Sequence, residues 1–317
     1  MECSGIDVAK NKLAIILLTA AGKRLEKSCP NTTAGHQDLV RWLARHGTGA
    51  VAIGLEATGG YHDAVALALH EAGHRVSVLN PQAIAAYAKS QLRRAKTDPV
   101  DARVIADYMR TQQPPAWTPA PLEARQLQAL VRRLDALLDM RTQETNRLEI
   151  AAPIVQPSIR GTIEHLTAEI TAVHAQIRTH IDQFPTLRTQ RDLLQSIPGI
   201  GETTAAIVLG EIGSIHRFAA ARQLAAFAGL VPQVKQSGTS VRGRGTLTPH
   251  GARRLRQALY FPALAAQRWN PILRAFAQRL RAAGKPKMVI VVAVMRKLLH
   301  QIYGVLRSGH SFLPTKA

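Results

Sequence analysis

Hydrophobic positions in the first 112 residues fall into short strand-like runs separated by longer segments with helical periodicity. LAIILLTA is a continuous apolar run closed by a Gly-containing turn, and Val51, Ile53 and Leu55 recur at period two. The pattern predicts three opening strands, then helix, strand, helix, strand and helix, and a last helix that begins at Asp98. This order predicts a mixed α/β domain over residues 1–115.

The middle of the chain, residues 116–187, is polar, poor in glycine and apolar at alternating spacings of three and four. That spacing is typical of a heptad seam. AAPIVQPS carries two prolines, so the region is predicted to be a helical hairpin or coiled coil. The seam packs either within the hairpin or against a second protomer, and we interpret the region as a dimerisation element. Its members are Leu127, Leu130, Leu134 and Leu137, then Ile163, Leu166, Ile170, Val173 and Ile177.

Residues 188–317 are predicted to form a mostly α-helical basic domain. Around IPGIG the order is helix, turn, helix, with Gly199 and Gly201 in the turn. A helix-hairpin-helix binds a backbone phosphate with such a turn, whereas an ordinary turn between two helices binds nothing. A Gly/Ser/Arg-rich loop over residues 236–248 and two long helices follow.

Charge separates the C-terminal region from the rest of the chain. The formal net charge is +20, and residues 191–317 hold 19 Lys and Arg against 3 Asp and Glu. No acidic residue follows Glu211. Because ordinary protein surfaces mix both signs, this bias predicts a polyanionic partner, with nucleic acid favoured. A membrane partner is not expected, because no basic amphipathic helix with a large aromatic face is evident.

Other signals restrict the cellular location and the kind of fold. The sequence predicts no apolar run long enough to span a membrane, and the first residues lack the pattern of a signal peptide. Cys3 and Cys29 form neither a metal-binding spacing nor a disulfide framework. A reduced, cytoplasmic location is therefore expected.

Four carboxylates are the candidate chemistry of the first domain. Asp7 and Glu56 end predicted strands, where functional groups of α/β sheets collect. Asp98 and Asp101 lie one helical turn apart in KTDPVDAR. Helix capping by Asp98 with Pro99 as the first helical residue explains that stretch equally well. Converging carboxylates repel one another unless a cation lies between them, and hard oxygen ligands suit one or two Mg²⁺ ions.

Several motifs in order resemble one family. GIDVAK, GLEATGGY and KTDPVDAR, followed by IPGIG, LAAFAGLVP and QSGTSVRG, are similar to the DEDD transposases of the insertion-sequence family one-ten. The resemblance covers nearly the whole chain. It implies a RuvC/RNase H-like fold for the first domain and a Mg²⁺-binding catalytic set of Asp7, Glu56, Asp98 and Asp101. It also implies donor and target DNA as substrates, a structured non-coding bridge RNA as guide, and a homo-oligomer that is a dimer or, on DNA, a tetramer.

The resemblance further implies a catalytic serine in QSGTSVRG, at Ser237. A serine that attacks a phosphate forms a phosphoserine ester with the cleaved strand. Arg242 and Arg244 follow it and are predicted to bind the phosphate. Ser240 and Thr239 remain rivals, since spacing alone does not choose among them, and a flexible Ser/Gly loop without function is the plain alternative.

The remaining candidates are basic or aromatic. Lys96 and Arg103 flank the acids, and Arg253 and Arg254 begin the helix after the serine loop. We predict nucleic-acid contacts for all four, although a purely solvated role explains Lys96 and Arg103 as well. The tryptophans are scattered and are predicted to be packing residues; they are Trp42, Trp117 and Trp269.

Three functions are compatible with this pattern. The favoured one is an RNA-guided recombinase that cleaves and rejoins DNA strands of an insertion element. The second is a Mg²⁺-dependent RuvC-like nuclease or junction resolvase, which uses the acids but hydrolyses DNA without Ser237. The third is a non-catalytic nucleic-acid-binding scaffold, which the four acids in a basic protein argue against.

Overall fold

The computed structural model describes residues 2–57, 59–91, 98–233, 236–237, 241–242, 246–247 and 251–314. Within these residues the chain divides into two compact units, Met1–Pro119 and Ala120–Ala317. The first is α/β and the second is mostly helical, as the sequence predicts. The helical hairpin and the basic region lie in one unit and share one hydrophobic core. The three functional regions predicted over 1–115, 116–187 and 188–317 remain a prediction.

The first unit has one five-stranded sheet in the order β3-β2-β1-β4-β5. β2 is antiparallel to both β1 and β3, and β1, β4 and β5 are mutually parallel. β3 and β5 are the two edge strands. The elements in chain order are β1 (Cys3–Val8), β2 (Lys12–Leu18), β3 (Arg24–Pro30), α1 (Thr33–His46), β4 (Ala52–Glu56), α2 (Asp63–Glu71), β5 (Arg75–Leu79), α3 (Pro81–Ser90) and α4 (Asp98–Gln112).

Helices cover both faces of this sheet. Ile6, Leu13 and Ile53 point to one face and pack with α1 and α2, whereas Ala14 and Ile16 point to the other face and pack with α4. The strand residues therefore alternate between two cores, which explains their nearly continuous apolar runs. Cys3 and Cys29 are free and buried, and burial raises the pKa of each thiol.

The second unit begins with the predicted helical hairpin. Two long helices, α5 (Leu122–Ile150) and α6 (Gln156–Gln183), are separated by a 3-10 turn at Pro153–Val155, where the prolines predict a break. Ile170 and Val173 are buried in the core shared by both helices. The seam is thus self-packed within the chain, one of the two arrangements that the heptad pattern allows. Dimerisation through this region stays a prediction.

The rest of the second unit is a compact set of helices around one core. The segment predicted as a serine loop carries short paired strands, and the helix predicted across residues 250–269 is divided at Leu259. The elements are α7 (Pro185–Gln195), α8 (Glu202–Ile212), α9 (Ala221–Phe227), β6 (Pro232–Gln233), β7 (Gln236–Ser237), β8 (Val241–Arg242), β9 (Thr246–Leu247), α10 (Arg253–Ala258), α11 (Tyr260–Trp269), α12 (Pro271–Ala282) and α13 (Lys287–Ser308).

Helix α13 corrects the expectation that no apolar run is long enough to span a membrane. Among the described residues, α13 is long and apolar enough by length and composition to cross a membrane. Half of its apolar window is buried in the protein, and Val294, Leu298 and Ile302 belong to the core of the second unit. Length and hydropathy alone therefore do not distinguish it from a central core helix.

Candidate functional site

Asp7 and Glu56 lie next to each other in the sheet, at the same ends of two parallel strands. The last recorded pair between β1 and β4 joins Ile6 to Leu55, and the two acids are the next residues on each strand. Both side chains are half-buried. The strand ends that the sequence predicts as acidic are therefore neighbours in space.

Two glycines determine which helix covers this part of the sheet. A Cβ atom at Gly5 would lie 2.1 Å from the Ala102 carbonyl oxygen, and one at Gly54 would lie 2.6 Å from Met109 Cγ. Only glycine allows the α4 backbone to approach β1 this closely. Because strand side chains alternate, Asp7 and Glu56 point to the same face as Gly5 and Gly54, the face that α4 covers.

Asp98 and Asp101 lie in the first turn of α4. Asp98 is the first residue of the helix, and Asp101 directly precedes Ala102, which rests on Gly5. Asp101 is half-buried, whereas the Asp98 side chain lies outside the described part of the structure. The backbone thus puts the start of α4 over the β1 end of the sheet that carries Asp7. We call Asp7, Glu56, Asp98 and Asp101 the acidic edge.

The acidic edge fits Mg²⁺ by its donor chemistry, since all four candidate ligands are carboxylates. In the described residues no group of three or more His, Cys, Asp or Glu side chains is gathered in a metal-binding arrangement. The side chain of Asp98 lies outside these described residues. Carboxylates on one face are the arrangement that a cation between them would stabilise.

An asparagine that the sequence does not single out links the loops that follow the two acidic strands. Asn31 Nδ2 donates to the carbonyl oxygens of Ala9 (3.0 Å) and Tyr61 (3.1 Å). Its Oδ1 lies 2.7 Å from Nε2 of the buried His36. Because Nδ2 faces two carbonyls, Oδ1 must accept, so His36 carries its proton on Nε2. Burial lowers the pKa of His36, which favours this neutral form.

The predicted serine loop carries two short strand pairs within residues 232–247, which we call the serine arm. In its inner pair, Ser237 lies opposite Val241 and Gln236 lies opposite Arg242. Ser237 and Arg242 are therefore on adjacent strands. Thr239, Ser240 and Arg244 lie outside the described residues.

The predicted phosphate turn has the expected order of helix, turn and helix between α7 and α8. Gly199 has a φ of +105°, and a Cβ atom there would lie 2.9 Å from the Pro262 carbonyl oxygen, so this glycine serves close packing on α11. Gly201 is exposed before α8. Glu202 begins α8 and accepts from Arg178 Nε at 2.9 Å. A carboxylate already lies at this helix start, which weakens the phosphate interpretation of the turn.

The predicted basic contacts differ in their surroundings. Arg253 is exposed, whereas Arg254 lies 3.6 Å from Asp135, an ion pair that gives it a structural partner. Burial raises the pKa of Asp135. Arg103 on α4 is exposed and lies 3.8 Å from Asp107. Lys96 is outside the described residues.

Two family models match most of the chain in sequence. One, described as "Transposase", matches residues 4–152, and the other, described as "Transposase IS116/IS110/IS902 family", matches residues 191–278. The first match includes all four residues of the acidic edge, and the second includes the serine arm. The family resemblance seen in the motifs is confirmed.

Relatives extend over almost the full length. The chain is 34% identical to pilin gene-inverting proteins of Moraxella lacunata and Moraxella bovis, with 97% of this chain and 96% of each relative covered. It is 27% identical to the transposase for insertion sequence element IS1111A of Coxiella burnetii, with 58% of this chain and 60% of that protein covered. The names of these relatives describe rearrangement of DNA segments.

Proposed function

Because this chain belongs to the IS116/IS110/IS902 family of transposases, we propose that its acidic edge and Ser237 together cleave and rejoin DNA strands. The protein is an enzyme of DNA transposition and recombination. In the proposal, residues 1–115 form a RuvC-like catalytic domain, 116–187 join protomers, and 188–317 carry the nucleophile. The observation that supports it most directly is the position of Asp7 and Glu56 at neighbouring strand ends, on the face that α4 covers.

Asp7, Glu56, Asp98 and Asp101 would hold Mg²⁺. When bound, Mg²⁺ polarises a phosphodiester and stabilises charge on its oxygens. The protein's own contribution is to orient the carboxylates: the β1–β4 register fixes Asp7 beside Glu56, and Gly5 lets α4 carry Asp101 to the same face. Asp98 would both cap the helix and bind the metal.

Ser237 would act as the nucleophile. Its Oγ loses a proton and forms a bond to phosphorus, the bond from phosphorus to one DNA oxygen breaks, and the leaving hydroxyl takes up a proton. One phosphodiester replaces another, so a strand can be rejoined without an external energy source. Arg242, on the strand paired with that of Ser237, and Arg244 would bind the phosphate and offset its developing charge.

Sequence choice would rest with a structured guide RNA that pairs with donor and target DNA. The region after Glu211 has no acidic residue, so it suits recognition of nucleic-acid backbone rather than of bases. A homo-oligomer, a dimer or a tetramer on DNA, would bring several active sites together. The Moraxella relatives suggest that inversion of a DNA segment is one outcome of the same cleavage and rejoining.

Strand cleavage by isosteric variants tests the proposal. Asp7→Asn, Glu56→Gln and Asp101→Asn should each reduce Mg²⁺-dependent cleavage of element-end DNA by two orders of magnitude or more, as seen on a denaturing gel, while circular dichroism stays unchanged. The amides keep the shape but lose the charge that binds the metal. Asp38→Asn is the matched control, because Asp38 is a half-buried acid on α1, which covers the other face of the sheet, and its carboxylate is paired with Lys27 at 2.7 Å.

The pattern of products separates the alternatives. Covalent protein–DNA products support the recombinase, whereas free ends alone indicate a hydrolytic nuclease. Full activity of Asp101→Asn would contradict the four-carboxylate site and leave Asp101 as a helix-start residue. Complete absence of cleavage by the wild type with its RNA and DNA would favour a scaffold.

A further inference from the structure

One side of α10 and α11 is exposed along its whole length. The two helices meet at Leu259, whose dihedral angles (φ −86°, ψ −8°) lie in the right-handed helical region. From Arg253 to Arg268 the exposed positions follow at spacings of three and four, which places them on one side of a helix, and Trp269 is the exposed residue next to Arg268. We call this side the α10–α11 stripe; it consists of Arg253, Gln257, Phe261, Leu264, Arg268 and Trp269.

The opposite side of the same helices is fixed in the protein core. Leu255, Leu259 and Ala263 are fully buried, so the helices cannot rotate to hide the stripe. Phe261 is 76% exposed and Trp269 is 74% exposed, more than any other aromatic side chain among the described residues. The sequence predicts Trp269 as a packing residue, and that prediction is wrong. Large aromatic rings held in water indicate a surface that is covered by a partner.

The charge around the stripe selects the chemistry of that partner. Arg253 and Arg268 are part of it, and Arg281 of α12 donates to Gln267 of α11 at 3.2 Å, so a third guanidinium lies beside it. No acidic residue follows Glu211 in the sequence. Within the part of the chain that the structure describes, Arg253, Arg268 and Arg281 form no ion pair. Flat apolar rings among such arginines match a polyanion with accessible aromatic faces. Unpaired nucleobases have such faces, whereas bases within a duplex are already stacked.

We propose that the α10–α11 stripe binds single-stranded nucleic acid, with unpaired bases stacked on Phe261 and Trp269 and with phosphates held by Arg253, Arg268 and Arg281. The two rings are eight positions apart, roughly 12 Å along the helix axis, so they contact different nucleotides of one strand. This inference rests on the proposed function, because it names unpaired DNA or RNA as the ligand of one surface of that enzyme.

Binding to labelled oligonucleotides tests the inference in the full-length protein. The probes are a short oligothymidylate and a blunt duplex of mixed sequence. Binding of each probe is measured by fluorescence anisotropy at fixed salt. Phe261→Ala and Trp269→Ala should each weaken single-strand binding about five-fold or more and leave duplex binding within two-fold, because base stacking is lost only for unpaired bases. Met288→Ala is the matched control, since Met288 is a 58% exposed apolar residue of α13 outside the stripe.

Tryptophan fluorescence gives a second, more specific measurement. Stacking of a base on Trp269 should quench part of the emission when the oligothymidylate is added. Trp269→Phe should abolish that quenching and retain most of the affinity, because phenylalanine also stacks. Trp42 and Trp117 pack against the core of the first unit and provide the constant background.

The outcomes distinguish failure of this inference from failure of the proposed function. If the wild type binds both probes in a salt-dependent manner and the Phe261→Ala/Trp269→Ala double variant binds them equally well, the stripe is not a nucleic-acid surface although the enzyme proposal stands. If that variant instead loses oligomer mass in light scattering with unchanged affinity, the stripe is a contact between protomers and the inference is overturned. A wild type that binds neither probe contradicts both.

Discussion

At the scale of single residues, Asn31 is the side chain whose contacts connect both ends of the acidic edge. It bonds to the loop after β1 and to the loop after β4, and His36 fixes its orientation. The sequence does not single out Asn31, because an asparagine just before the capping Thr32 resembles ordinary helix-start chemistry. Long-range hydrogen bonds of this kind leave no periodic signal in the sequence.

We expect Asn31→Leu to reduce strand cleavage by about 10- to 100-fold, because residues that orient metal-binding carboxylates commonly contribute this much. The loss should appear as weaker apparent Mg²⁺ affinity, and raising Mg²⁺ should restore part of the rate. Asn80→Ala is the control, since Asn80 caps α3 with a single bond to Gln82. Equal loss of activity in both variants, or no rescue by Mg²⁺, would show that Asn31 serves only general stability.

Glu211 gives a pH-dependent prediction. Burial raises the pKa of this carboxyl above its ordinary value of 4.5, although Arg132 lies 3.8 Å away and opposes the shift. Its protonated form therefore stabilises the fold below that ordinary value, and the contribution is lost as pH rises through the folded-state pKa. Unfolding in urea should show Glu211→Gln gaining stability relative to the wild type as pH increases from about 4.5. A difference that is constant with pH would contradict this assignment.

At the scale of elements, the strands and helices of the first unit follow closely from the hydrophobic pattern, whereas their pairing does not. Nothing in the pattern places β1 between β2 and β4, because pairing depends on contacts between distant residues. The sequence predicts a helix that ends at Trp269, as α11 does, but it does not predict α12, although the start of α12 has a local signal. Asn270 precedes Pro271, and its Oδ1 accepts from Leu273 N at 3.2 Å as a helix cap.

The hairpin gives a prediction at this scale. Ile170 is buried where α5 and α6 pack together, so Ile170→Ala should lower the free energy of unfolding by about 2–4 kcal/mol by creating a cavity. The neighbouring Thr171 is exposed, and Thr171→Ala should change the free energy of unfolding by less than about 0.5 kcal/mol. Chemical denaturation measures both. A variant Ile170→Ala that dissociates into smaller oligomers with unchanged stability would show that the seam is shared between protomers instead.

At the scale of the whole molecule, the residues of the proposed chemistry are divided between two compact units. The acidic edge belongs to the first, and Ser237 belongs to the second. The sequence predicts this division from charge and motif order, but the side chain of Asp98 and much of the serine arm lie outside the described residues.

A complementation experiment tests whether protomers share a site. We expect a mixture of Asp7→Asn and Ser237→Ala proteins to regain part of the cleavage that neither has alone, because a heterodimer contains one complete set if Ser237 of one protomer serves the acids of another. Size-exclusion analysis of differently tagged proteins verifies that heterodimers form. An inactive mixture in the presence of heterodimers would mean that each site is built within one chain.

Attack of Ser237 on DNA with the help of the acidic edge is tested most directly by detecting the covalent intermediate. The protein is incubated with its RNA, Mg²⁺ and nicked element-end DNA, and the adduct is digested and mapped by mass spectrometry. We predict a nucleotide esterified to Ser237, absent from Ser237→Ala and from Asp7→Asn but retained in Ser196→Ala, which changes a serine bonded to Leu193 O in the α7 cap. An adduct on another residue, or one that forms undiminished in Asp7→Asn, would contradict the account.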